Sequence, residues 1–453
     1  MMTKEMRVNG VRGGYIEMIE AELARFLSSR RREEMITAKR YYAGDHDVLR
    51  RHKTAIGADG KPEVLDNVAC SRIAIGQYAR LVDQKINYSL GRPFSIDCDN
   101  KRFASALAGF FGHTAKKIWR DAATDAVNCG VAWLHPYIDE NGMLALRRFD
   151  PVMCLPLWSD AAHTRLDAFI RLCTREIYNG RRRSVEESVF IYTKSGIEEY
   201  AYSNGRLRPV SRVGYHFCDS YGKGYLWDRV PIIPVKYNSG EIPLIRRAKS
   251  LQDALDTLVS DFADNMQENS RSTVLVLKNY DGEDLGEFRR NLAAYGAVKV
   301  RSDAGGDGGV ESLAIEVKAE NYEALKNMLT QALTECCRGF DSHDKRLSGN
   351  PNQMNILAIY SDIDLDANGF ESELQCAFDL WLGYIRSYLY YTGVGDFRGV
   401  AAKVVLNRDL LINESEIINS LKNSEGILSR RTLIAQHPYV DDIEGELARL
   451  GLN

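Results

Sequence analysis

Hydrophobic residues near the start of the chain recur every three or four positions, which is the spacing that places them on one face of a helix. Ile16, Ile19 and Leu23 follow this spacing. The same pattern continues beyond this first segment. It predicts helices over 16–27, 30–42, 71–90 and 115–128. The first part of the chain is therefore expected to be largely helical.

Between about 130 and 236 the pattern changes to short apolar runs separated by turn residues, which is typical of antiparallel strands. Asn-Gly pairs at 141–142, 179–180 and 204–205 favour tight hairpin turns, because both residue types tolerate positive φ. The run VPIIPVKY closes the region. Its two prolines favour an edge strand, since proline has no N–H to donate to a central ladder.

The second half of the chain predicts two long helices around a small α/β module with a glycine-rich turn at 303–309. In the first of these helices Leu255 and Phe262 belong to the predicted apolar stripe, and Asp256 and Asp264 lie on other faces. The elements follow in this order: a helix over 246–270, the module over 271–317, a helix over 319–340, a loop over 341–353, a helix over 354–391 with kinks at Gly369 and Gly383, a strand over 400–406, and two short helices broken near 437–438. The fold class is therefore α+β, with several domains.

Charge and composition narrow the classes of function. The 453 residues include 62 acidic and 59 basic ones, so no whole-chain positive field exists that would hold nucleic acid tightly. The nine cysteines lack the paired spacings of a zinc site and are interpreted as reduced, mostly buried thiols. Neither a signal peptide nor a run of about 18 apolar residues is found, which indicates a cytoplasm-like compartment and no membrane partner.

The sequence contains no strong motif for catalysis or for metal binding. Asp364, Asp366, Asn368 and Gly369 match the start of a calcium loop, but Gln375 stands where that loop needs a bidentate Glu. Other short features are best explained without chemistry: 305–309 as a hairpin tip, Arg181 to Arg183 as a solvated loop that could also touch DNA or an acidic partner, and Cys336 and Cys337 as packing. HExxH, GxSxG, CxxC and Walker sequences are absent. We therefore expect no catalytic residue, metal or cofactor.

Four segments, taken in order, give the chain a family resemblance. They are KRYYAGDHDVLRR at 39–51, ARLVDQKINYSLGRPFSID at 79–97, IYSDIDLDANGFESEL at 359–374, and a closing pattern with NESE at 413–416, GILSRRTL at 426–433 and HPYVDDIEGELARL at 437–450. Together they resemble portal proteins of long-tailed bacteriophages, especially those that infect Gram-positive bacteria. The resemblance spans nearly the whole chain.

The resemblance implies a portal fold and a homo-oligomeric ring of about a dozen subunits. The implied regions are a wing at 1–245, a stem helix at 246–270, a clip at 271–317, a second stem helix at 318–340, a tunnel loop at 341–353, a kinked wing helix with the following strand at 354–408, and crown helices at 409–453. The implied partners are further copies of the chain, the terminase large subunit, a head-completion adaptor, scaffold and major capsid protein, and double-stranded DNA bound without sequence specificity. The protein would be made in the host cytoplasm and end at the portal vertex of the capsid.

A channel for DNA must let a polyanion slide without sticking, which gives the charged residues expected roles. The tunnel-loop residues that would touch phosphates transiently are Lys345, Arg346, Asn350, Asn352 and Gln353. The acids that ring symmetry would repeat into a repelling collar are Asp362, Asp364, Asp366, Glu371 and Glu373. The candidates for binding a partner at the clip are Arg289, Arg290, Lys299 and Arg301.

Two alternatives remain at this stage. A phage-derived nuclease would use Asp362, Asp364 and Asp366 as its metal site, although side chains two positions apart on a helix point away from each other. A monomeric interaction module of a defence or transfer element is the second alternative. The mass of the purified protein separates a ring from both.

Overall fold

A computed structural model describes most of the chain. The described residues are 12–56, 61–64, 68–218, 222–269, 274–278, 309–313, 319–341, 353–408, 414–435, 437, 440 and 443–451. They form a mixed α+β fold with long helices and antiparallel sheets, which confirms the predicted class. The chain divides into two compact units. The first contains 1–44, 76–249 and 333–453, and the second contains 45–75 and 250–332.

The secondary structure follows in chain order. The helices are α1 (Arg12–Leu27), α2 (Arg30–Tyr42), α3 (Gln77–Leu90), α4 (Lys101–Ala108), α5 (His113–Cys129), α6 (Ile245–Asn269), α7 (Ala319–Cys336), α8 (Gln353–Tyr391), α9 (Glu414–Asn423), α10 (Arg430–Ala435) and α11 (Ile443–Arg449). The strands are β1 (Thr54–Ile56), β2 (Pro62–Val64), β3 (Ser95–Asp97), β4 (Val131–Ile138), β5 (Leu144–Phe149), β6 (Cys154–Trp158), β7 (Leu166–Asn179), β8 (Arg182–Thr193), β9 (Gly196–Ser203), β10 (Arg206–Val213), β11 (Phe217–Cys218), β12 (Gly224–Tyr225), β13 (Ile233–Lys236), β14 (Val274–Lys278), β15 (Gly309–Leu313) and β16 (Lys403–Val405).

The first unit contains an antiparallel sheet of five strands in the order β10-β9-β8-β7-β6. Two of its hairpins, β7–β8 and β9–β10, turn at predicted Asn-Gly pairs, and Asn204 and Gly205 both have positive φ. Ile19 and Leu23 of α1 pack on one face of this sheet. A second sheet has the order β13-β4-β5, so β13 is an edge strand as its prolines predicted.

Helix α8 forms much of the core of the first unit. Leu374, Phe378 and Leu382 are fully buried, and the Phe378 ring lies 4.1 Å from the ring of Trp119 on α5. The helix is continuous through both Gly369 and Gly383. A helix 39 residues long therefore spans about 58 Å at 1.5 Å per residue.

The second unit contains parts of the two long predicted helices, α6 and α7. Phe262 of α6 and Tyr322 of α7 stack with their ring centroids 3.8 Å apart. Between these helices in sequence, β14 and β15 pair antiparallel, with Val274 opposite Leu313. The rest of the predicted α/β module over 271–317 lies outside the described residues.

The structure corrects several predictions. The helix expected over 71–90 begins only at Gln77, and the one expected to reach 340 ends at Cys336. Three short helices, rather than two, are described near the C-terminus. The cysteines are not mostly buried, because only Cys129, Cys154 and Cys337 are; all nine are free thiols.

Candidate functional site

A buried lysine on α3 joins three parts of the first unit. The Lys85 side chain is only 3% exposed, and its Nζ donates to Asp366 Oδ2 at 2.7 Å and to the carbonyl of Arg338 at 3.2 Å. The Tyr237 hydroxyl donates to the same Asp366 oxygen at 2.6 Å. Burial lowers the pKa of Lys85, against the opposing effect of Asp366. Lys85 thus ties α3 to α8 and to the end of α7.

Two residues of α3 close to Lys85, Gln84 and Tyr88, contribute to holding the segment after α7. Gln84 donates to the carbonyl of Phe340 at 3.0 Å. The Phe340 ring stacks on Tyr360 of α8 at 4.6 Å, and Tyr360 stacks in turn on Tyr88 at 5.8 Å. Phe340, just before the predicted loop over 341–353, and Tyr360, seven residues after it, are therefore held beside α3.

An arginine that follows β16 neutralises further acids of α8. Arg408 donates to Asp364 at 2.6 Å and to Glu371 at 2.8 Å, and it also bonds Asn368. The Tyr88 hydroxyl donates to Asp364 at 2.5 Å. Three of the five predicted channel acids, Asp364, Asp366 and Glu371, thus have cationic partners inside the subunit.

The acids expected for a metal site do not converge. Asp364 bonds Arg408 while Asp366 bonds Lys85, and Asp362 is exposed without an ion pair among the described residues. The stretch that resembled a calcium loop lies within continuous α8. In the part of the chain that the structure describes, no group of three His, Cys, Asp or Glu side chains is placed to hold a metal.

A ladder of buried polar side chains on α6 organises the second unit. Its members lie four residues apart and are Gln252, Asp256, Ser260 and Asp264. They bind the extended segment 71–75 through its backbone. The N–H groups of Ser71, Ile73 and Ile75 donate to Asp264 at 2.5 Å, to Ser260 at 3.0 Å and to Asp256 at 2.8 Å, respectively, and Gln252 donates to the Ile75 carbonyl at 2.7 Å.

The ladder fits because two periods match. Four helical residues rise about 6 Å, and two extended residues span about 6.6 Å, so each turn of α6 meets every second backbone N–H. These bonds satisfy the backbone of Ser71 to Ile75 in an extended form, which explains why the predicted helix begins late. The ladder also reaches other side chains: Asp256 contacts His46 Nδ1 at 2.6 Å, and Asp264 lies 3.1 Å from Lys53 Nζ.

Acid should weaken the second unit through Asp264. Burial opposes its charge, but hydrogen bonds from Ser71 and Lys53 outweigh this effect and lower the pKa of the carboxyl below 3.8. A carboxyl with a lowered folded pKa stabilises the fold above its unfolded value and loses that contribution as pH falls through the folded value. We expect the melting temperature to fall more steeply in wild type than in Asp264→Asn between about pH 5 and about pH 3. If the melting temperature fell equally steeply with pH in both proteins, Asp264 would not be the source of the acid sensitivity.

The remaining predicted site residues have these positions. Those that lie outside the described residues are Lys345, Arg346, Asn350, Asn352, Arg289, Arg290, Lys299 and Arg301. Gln353 is the first residue of α8, and its side chain also lies outside them. Arg183 pairs with Glu176 beside the hairpin turn. Cys337 is buried, which raises the pKa of its thiol to about 12 and agrees with a packing role.

Sequence reasoning missed the cations that neutralise α8. Lys85 follows Val82 by three positions and precedes Tyr88 by three, so it lies within the predicted apolar face of α3. A lysine at such a position is a detectable signal of a buried ion pair. Arg408 carries no comparable signal, because its partners are about 40 residues away in sequence.

The chain is similar to phage portal proteins over most of its length. A family model described as "Phage portal protein, SPP1 Gp6-like" matches residues 28–451. The portal protein of Bacillus phage SPP1 is 28% identical over 432 residues, covering 92% of this chain and 83% of that protein. The portal protein of Clostridium phage phiCD119 is 26% identical, covering 91% of each chain.

One solved structure, described as the neck of a native GTA particle computed with C12 symmetry, is also similar. The match covers 80% of this chain and 89% of the chain in that structure, with a TM-score of 0.42 and 10% sequence identity. Among the described residues, no helix has both the length and the apolar character needed to cross a membrane.

Proposed function

The chain belongs to the SPP1 Gp6-like family of phage portal proteins, the head-tail connectors of the virion, and we propose that about a dozen copies form a closed ring through which the genome enters and leaves the capsid. The observation that carries this proposal is the family match over 28–451. The portal-protein family is non-enzymatic, so the nuclease alternative is set aside.

The regions of the proposed portal keep the predicted bounds. The wing is 1–245 with 354–408, the stem is 246–270 and 318–340, the clip is 271–317, the tunnel loop is 341–353, and the crown is 409–453. Support comes from α6 and α7, which flank the paired strands β14 and β15 in sequence as stem helices would flank a clip.

The proposed channel interacts weakly with DNA. Lys345 and Arg346 of the tunnel loop touch phosphates in passing, without reading sequence. Two cations, Lys85 and Arg408, pair with three acids of α8, so one negative charge of that set stays uncompensated. The rest of the repelling charge lies on Asp362 and Glu373, which form no ion pair among the described residues. DNA therefore slides along the channel wall without binding to it tightly.

The proposed partners act at the two ends and the rim of the ring. The terminase large subunit docks on the clip during packaging, and a head-completion adaptor replaces it afterwards. Arg289, Arg290, Lys299 and Arg301 are the clip residues offered to these partners. Scaffold and major capsid protein surround the wing.

Complementation of a phage that lacks this gene tests the function. We expect empty heads without the chain, and packaged, infectious particles when it is supplied. The variant Lys345→Ala/Arg346→Ala should still enter heads while the amount of packaged DNA changes, because only phosphate contacts are removed. Normal packaging in the complete absence of the chain would refute the proposed function.

A further inference from the structure

One face of α8 is exposed along most of the helix. Its central members, called here the exposed stripe, are small or apolar apart from one acid, and the exposed Asp362 and Asn368 lie along its two edges. The members of the stripe are Ala358, Ser361, Leu365, Gly369, Ser372, Cys376 and Asp379. Leu365 is 63% exposed, which is high for a leucine in the middle of a long helix. The subunit therefore leaves a narrow, weakly polar surface in contact with solvent.

Both glycines of α8 lie on this side. Gly369 belongs to the exposed stripe, and Gly383 follows Asp379 by four residues. Glycine weakens a helix relative to alanine, yet a Cβ added at either position would meet nothing within 4 Å. Packing within the chain does not require these glycines, whereas close approach of a second backbone would.

A cleft of about 420 Å³ lies beside the first turns of α5. It is called here the cationic cleft, because it is lined by His113, Lys116, Lys117 and Arg120. Its acids are Asp83 and Asp121, and Asp83 already accepts a hydrogen bond from Tyr42 at 2.8 Å. His113 and Lys117 are exposed and form no ion pair or hydrogen bond among the described residues. The cleft thus offers unused positive charge.

The exposed stripe and the cationic cleft lie on opposite sides of one layer of helices. Trp119 of α5 contacts Phe378 of α8. At roughly 100° per residue, Gly369 lies roughly 180° around α8 from Phe378, and Lys117 lies roughly 160° around α5 from Trp119. Gly369 and Lys117 therefore face away from the contact that joins the two helices, and Asp379, one residue after Phe378, lies roughly 100° around α8 from it, at the side of the layer.

Resting on the ring proposed above, we infer that the exposed stripe of one copy packs against the cationic cleft of the next copy. A head-to-tail ring needs two different, complementary surfaces on opposite sides of each subunit, and these two satisfy that condition. Rotation about a ring axis keeps equivalent residues at one height. Because Trp119 lies beside Phe378, the cleft of the neighbour meets the stripe near Asp379, whose charge complements it.

A charge-reversal experiment on the full chain tests the contact. The stripe variant is Ser372→Lys/Asp379→Lys, and the cleft variant is His113→Glu/Lys117→Glu, which places acids at a helix N-terminus where they are tolerated. Each variant alone brings like charges together and should lower the fraction of protein in rings by about tenfold or more. Combining all four substitutions in one chain should restore rings. Mixing the two separate variants should also restore them, as alternating copies.

Controls separate this inference from the proposed function. Glu140→Lys and Lys422→Glu change exposed charges elsewhere and should leave ring yield as in wild type, while circular dichroism checks that every variant folds. Wild-type yields from both single variants would overturn the inference and leave the ring intact. Loss of rings that neither combination restores would overturn the pairing of the two surfaces. A wild-type chain that forms no ring would instead refute the proposed function.

Discussion

Replacing Lys85 with methionine is expected to destabilise the subunit by about 3–5 kcal/mol, the range found when one partner of a buried ion pair is removed. Methionine fills a similar volume, so the loss comes from leaving Asp366 with only the Tyr237 hydroxyl in a largely buried site. Urea unfolding followed by circular dichroism measures the change. The same variant should loosen the segment after α7, which loses the bond from Lys85 to the Arg338 carbonyl and keeps the one from Gln84 to the Phe340 carbonyl.

A double-mutant cycle identifies the cause of that loss. Asp366→Leu alone strands the Lys85 ammonium and should cost a similar amount, but Lys85→Met/Asp366→Leu replaces the pair with apolar side chains and should cost much less than the sum. Arg398→Met, which breaks the exposed pair with Asp396, serves as the control and should leave the unfolding midpoint unchanged. Additive effects of the two buried substitutions would show that the ion pair is not what holds this region.

Replacing Asp256 with alanine is expected to have an equally large effect on the second unit, about 3–5 kcal/mol. This carboxylate accepts bonds from the Ile75 backbone and from Gln252, and it contacts His46, whose side chain is fully buried. Alanine would remove the buried acceptor shared by the Ile75 N–H and Gln252, together with the contact to His46. Segment 71–75 should then detach from α6, and hydrogen exchange at Ile73 and Ile75 should rise.

Thr257→Ala, an exposed change one residue further along α6, is the matched control and should leave exchange unaltered. In Asp256→Asn, hydrogen exchange at Ile73 and Ile75 should be intermediate between that in Asp256→Ala and that in Thr257→Ala. The amide oxygen of asparagine can still accept from the Ile75 N–H, but the charge is lost. Unchanged exchange at Ile73 and Ile75 in Asp256→Ala would show that the ladder does not hold the segment.

Sequence patterns correctly predicted the turns and helices that depend on residues close together in the sequence. The Asn-Gly pairs placed the hairpins β4–β5, β7–β8 and β9–β10, because tolerance of positive φ is a property of those residues themselves. Helix α2 was predicted over 30–42 and found at Arg30–Tyr42. The spacing of apolar residues likewise found both long helices, α6 and α7.

The buried surface of α6 was predicted only in part, for a physical reason. Apolar spacing pointed to the stripe with Leu255 and Phe262, and the acids were placed on other faces. Leu255 is buried as predicted, but Asp256 and Asp264 are buried as well, because they bind backbone groups about 190 residues away in sequence. No local pattern encodes such a partner. The only signal is the repetition of polar residues every fourth position, which a count of apolar residues ignores.

The acids of α8 show the same limit at the candidate site. Their sequence, without Lys or Arg nearby, suggested unneutralised charge. The structure brings Lys85 from α3 and Arg408 from beyond β16 to three of them. The family, by contrast, could be predicted from short segments spread over the chain, because a resemblance depends on residue order and not on which side chains meet.

End-on electron microscopy of the purified protein tests the central claim most directly. We predict closed rings of about a dozen copies with a central hole. Particles that remain single 51.1 kDa subunits under every assembly condition, including within forming phage heads, would contradict it.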